Sequence, residues 1–172
     1  MRAEIQKKVQ KIKRVSTALR AMCTGLWALI ALMGVTEVVC VSFGIGGVNF
    51  DNTFFSNAGL PLGRRLILGA VSALAFGALL KCFHHLRLLF ENYTRGEIFT
   101  RESVGQLRQF GIACLLWGVM SFVWSLSLAL LVNPAWTFEG RFDSLAIGAV
   151  IIAIAWFMDM AVELREENEL TI

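Results

Sequence analysis

Four long apolar runs, at about 19–43, 66–89, 110–132 and 145–162, set what this chain can fold into. Each is about as long as the ~20 residues a helix needs to cross ~30 Å of hydrocarbon. The connections between them are short and polar, which leaves no room for a soluble domain with its own core. The residues predict an all-α integral membrane protein, a four-helix bundle forming a single transmembrane domain over 1–172. Composition agrees: 56% of residues are hydrophobic and 17% charged, where a soluble domain carries about a quarter charged.

Charge placement predicts the orientation. Seven of the sixteen basic residues (Arg2, Lys7, Lys8, Lys11, Lys13, Arg14, Arg20) precede the first run, and Lys81, Arg87, Arg95, Arg101 and Arg108 flank the second connection. Arg64, Arg65 and Arg141 mark the other two. The positive-inside bias puts both termini and the loop at 90–109 in the cytoplasm, with the loops at 41–65 and 133–143 outside. The first run is about twice a signal-peptide core and lacks an Ala-x-Ala exit at the right depth, so it reads as a retained span. Ahead of it, Ile5, Val9, Ile12, Val15 and Leu19 recur at helical spacing among lysines and arginines. That is a basic amphipathic helix suited to an anionic inner leaflet. Tethered to the bilayer and without interleaved aromatics, it is not expected to bind nucleic acid.

The loop at 90–109 is sharply punctuated. Gly96 marks a turn after Tyr93 and Arg95. Thr100 suits an N-cap, Glu102 lies in the first turn where the dipole favours a carboxylate, and Phe99 and Val104 stand at staple positions. Two small-residue seams suit close helix approach: Gly69, Ala73 and Gly77 in the second span, and Gly111, Cys114 and Gly118 in the third. They fit contacts inside the bundle or a homo-oligomer face. Cys23, Cys40, Cys82 and Cys114 lack any Cys-x-x-Cys or His alternation, so they read as small apolar packers and no metal or other cofactor is expected.

Ionisable groups inside spans are costly and mark functional positions. Glu37, Lys81, His84, His85 and Asp159 are the candidates. Depth counted along the runs brings Asp159 level with Lys81 or His85 as an ion pair, and gives Glu37 a partner in Arg64 or Arg65. Fixing helix register is the plainer role for such pairs, a proton or ion path the sharper one. Transporters usually break their helices with Gly or Pro, whereas Pro61 and Pro134 both fall in outer loops. No His-Glu-x-x-His, Gly-x-Ser-x-Gly or phosphate-binding glycine loop occurs, so an enzyme is not expected.

After the fourth span Glu163, Glu166, Glu167 and Glu169 face the arginines of the loop. A tail helix docked on the loop is expected, with Leu164 and Leu170 covering Ile98 or Phe99 and the charges orienting it. The run from Leu89 through Glu91, Asn92, Tyr93, Thr94, Arg95, Gly96, Glu97, Ile98 and Phe99 to Thr100, followed by Val104, Leu107, Arg108 and Gly111, resembles the middle loop of the YoaS-like domain-of-unknown-function family of bacterial membrane proteins. The ending Asn168-Glu169-Leu170-Thr171-Ile172 is similar to that family's acidic close, with Glu169 for Asp, Ile172 for Val and Ser103 for Asn as departures. The resemblance implies four spans, no established activity and, through gene neighbourhood, partnership with a small helix-turn-helix regulator. The expectation is a non-enzymatic bacterial inner-membrane sensor, regulator or scaffold working through its loop and tail; the alternative is a small oligomeric channel or transporter.

Overall fold

In a computed structural model, residues 2–45, 47–50, 53–56, 59–96, 100–131 and 143–170 are described. They form α1 (Arg2–Phe43), β1 (Gly47–Phe50), β2 (Thr53–Ser56), α2 (Leu62–Arg95), α3 (Arg101–Leu131) and α4 (Asp143–Leu170). All four helices are long and apolar enough to cross a membrane. The basic lead-in and the first span are one helix of 42 residues, about 63 Å at ~1.5 Å per residue. That is twice the hydrocarbon thickness, so α1 projects far past it. The side chains of Ile5, Val9 and Ile12 lie outside the described residues, and Val15 is half-exposed.

The helices line up in chain order instead of closing into the expected bundle. Extended packing joins α1 to α2, α2 to α3 and α3 to α4, and among the described residues α1 and α4 stand at opposite edges of the row. Water does not drive helices together inside a bilayer, because lipid covers an apolar edge as well as protein does. The large apolar side chains left open along α1 and α4, Leu32 and Trp156 among them at 67% each, suit that surrounding.

One core sits near the ends of α1 and α3, where Val41, Leu68, Trp124 and Leu128 are buried together. Arg64 Nη1 donates to the Leu131 carbonyl (3.1 Å) beside it, supplying a donor for an orphan carbonyl at the end of α3. The α3–α4 seam is different. A Cβ on Gly111 would meet Ile152 at 2.7 Å and the Gly148 carbonyl at 3.2 Å, and one on Gly118 would meet Leu145 at 2.7 Å. Here the expected seam of the third span is used.

The second-span seam is used at Gly69 only. Gly69 is buried against Ser42, but Ala73 and Gly77 are exposed and, among the described residues, nothing lies within 4 Å of a Cβ on Gly77. The α1–α2 connection also holds structure that a helical reading left out: β1 and β2 pair antiparallel, Val48 with Phe55 and Phe50 with Thr53. Alternating apolar and polar residues around Asp51-Asn52 carried that signal.

Candidate functional site

The start of α1, the α2–α3 turn and the end of α4 share one face, called the turn face below, and most of the polar chemistry gathers there. The turn itself is locally determined. Gly96 takes φ +92° and ψ +8° at the end of α2, its N–H directed at the carbonyls of Asn92 and Tyr93. A left-handed residue at that position closes a helix at least cost when it is glycine. The Ser103 N–H donates to Thr100 Oγ1 (3.3 Å), and the two hydroxyls are 3.2 Å apart. Thr100 therefore caps α3 as the sequence predicts, and Ser103, fully buried, completes the cap. Val104 is buried; Phe99, its staple partner, and Ile98 lie outside the described residues.

From this turn, three links tie the helices together. Glu91, 22% exposed, forms an ion pair with Arg20 of α1 (3.3 Å) and accepts from Arg95 one turn along α2 (2.9 Å). His85 Nδ1 lies 2.9 Å from Gln106 Oε1, a side-chain hydrogen bond across α2 and α3. The Arg101 guanidinium holds Glu166 of α4 with two bonds, Nε to Oε1 at 3.1 Å and Nη2 to Oε2 at 2.5 Å. Asp159 and Glu163 add to the field at Arg101. So charge does join the tail to the segment that opens α3. The apolar half of the expected docking lies outside the described residues, since Ile98, Phe99 and the side chain of Leu170 are not among them; Leu164 itself is 60% exposed. Glu167 is exposed near the same helix end.

The intramembrane pairs predicted from depth do not form. Lys81 is exposed on α2 and His84 beside it is exposed too, its ring edge-on to His85 at 5.5 Å. Asp159 lies near Arg101 instead. The reason is register: Leu145 packs on Gly118, so α4 runs beside α3 with Asp159 near the turn face while Lys81 lies roughly three turns deeper. Glu37, half-buried, takes a hydrogen bond from Ser72 (3.4 Å); Arg64 and Arg65 reach the carbonyls of Leu131 and Leu60. Between α2 and α3, with Ile147 of α4 at its rim, lies a cleft of about 200 Å³ lined by Leu79, Cys82, Phe83, Phe110, Cys114 and Trp117. Its lining has no charged side chain. Sequence reasoning missed Ser103, Gln106 and the Arg20–Glu91 link, because each depends on which helix faces which.

Residues 10–172 match the model of a family described as Protein of unknown function (DUF2975). The chain belongs to that family. The match takes in all four spans and every residue of the turn-face links, from Arg20 to Glu166. At this level it bears out the resemblance to a domain-of-unknown-function family, though not its narrower YoaS-like name. No curated protein matches the chain, and no solved structure does.

Proposed function

We propose that this member of the family is a non-enzymatic sensor, regulator or scaffold of the bacterial inner membrane, acting through its turn face toward the cytoplasm. The observation that carries the reading is the three-link polar face itself. Arg20–Glu91–Arg95, His85–Gln106 and Arg101–Glu166 tie the four helices together toward the turn-face ends of the apolar runs. An ordered, charged platform beside an anionic leaflet suits recognition of a protein partner, and the YoaS-like middle loop points to a small helix-turn-helix regulator. The alternative, a channel or transporter, has less support, since the cleft between the spans is apolar.

Two measurements test the reading. Purified protein in vesicles should pass neither protons nor potassium above empty-vesicle leakage. In cells, transcript levels altered by deletion should return with the native chain and with Gly77→Ala, and fail to return with Arg101→Glu at equal abundance. Ion flux from the native protein, or full restoration by Arg101→Glu, would overturn it.

A further inference from the structure

We propose that the two open edges of the helix row bind each other between copies, the α1 edge of one chain against the α4 edge of the next. This goes beyond the partner reading above and does not rest on it. The edges are complementary in charge. The sequence ahead of residue 21 holds seven basic residues and one acidic, Glu4, whereas the end of α4 carries Asp159, Glu163, Glu166, Glu167 and Glu169 against Arg165.

They are also level with each other. At one edge Lys13 of α1 lies over Gly96, its Cε 3.4 Å from where a Cβ would stand; at the other Arg101, just past the same turn, holds Glu166. Both charged ends therefore stand at the height of the α2–α3 turn, and neighbouring copies in one bilayer keep that height. Counted inward from these anchors, Arg14 is level with Glu163, Ala21 with Trp156, Gly25 with Ala153 and Ala28 with Ala149, each to within a helical turn. All eight are exposed.

Each set also forms one stripe along its helix, at spacings of three, four and seven. The α1 stripe lies on the side opposite Ser16, Cys23 and Val41, which are buried. Small residues let helix backbones approach closely in lipid. Among the described residues nothing lies within 4 Å of a Cβ on Gly25, so no contact between them uses its small size. Against α4 it has a use: Ala21 and Gly25 make room for the Trp156 ring, which is 67% exposed. Because the two surfaces differ, the contact is heterologous, and repetition closes a ring or extends a line of copies.

Crosslinking in zwitterionic vesicles tests this. Two differently tagged populations carry Arg14→Cys and Glu163→Cys, and chains with only the native cysteines give the background. The expected product is a mixed-tag dimer that needs both variants. Arg14→Glu and Glu163→Arg should each lower the mixed product several-fold when probed through Gly25→Cys with Ala153→Cys, and the double swap should restore it. Circular dichroism confirms helicity in every sample. A dimer from Arg14→Cys alone, no mixed product from folded protein, or a double swap that fails to restore would each overturn the proposal.

Discussion

At Glu91 one carboxylate serves two guanidiniums from different helices, and it is the less exposed member of both pairs. Removing its charge leaves Arg20 and Arg95 without their shared counter-ion. We expect Glu91→Gln to destabilise the α1–α2 contact by about 1–2 kcal/mol, between an exposed ion pair and a buried charged hydrogen bond. Thermal unfolding in detergent measures it. Arg101→Ala, at the more exposed pair, should leave the same curve unmoved. The contrast shows what single residues disclose. Thr100 and Gly96 were legible because a cap and a turn depend on neighbours in sequence. The partners of Asp159 and Lys81 were not, since hydropathy fixes depth only loosely and the Gly111–Gly148 approach sets the actual register of α4.

Among the elements, the α3–α4 seam is the most demanding, because backbone faces backbone. Gly111→Ala places a methyl against the Gly148 carbonyl and Ile152, and the helices must part; overpacking of this kind costs about 1–3 kcal/mol. Gly77→Ala meets nothing and should be neutral or slightly stabilising, up to about 1 kcal/mol from helix propensity. Unfolding of the two variants side by side decides between a packed seam and a stripe of small residues with no role. For the cap, Thr100→Ala should cost about 1 kcal/mol and loosen the first turn of α3, read as faster amide exchange at Ser103 and Val104. The sequence pattern displayed both small-residue stripes equally. It could not tell them apart, because only the order of helices in the row decides which face is covered.

For the whole molecule, the charge asymmetry predicts which side is which. A cysteine at position 97 and a reporter after Ile172 should both report the cytoplasm, and a cysteine at position 52 the outside. Outside labelling at 97 would end the topology. That four helices are long and apolar enough to cross a membrane was legible from the apolar runs; that they form an open row was not, since a helix bordered by lipid reads the same as one bordered by protein. The offset of α4 has a mechanical meaning. Its described helix starts at Asp143, and Leu145 lies beside Gly118, while α3 continues to Leu131. Were the close approach at Gly148 to act as a pivot, Glu166 would stand about 27 Å from it at ~1.5 Å per residue. A tilt of about 10° there carries the acidic end roughly 5 Å, enough to part Glu166 from Arg101. Small changes in bilayer thickness or in a neighbouring copy would be geared up at the water's edge, with α4 as the lever and the glycine pair as its fulcrum.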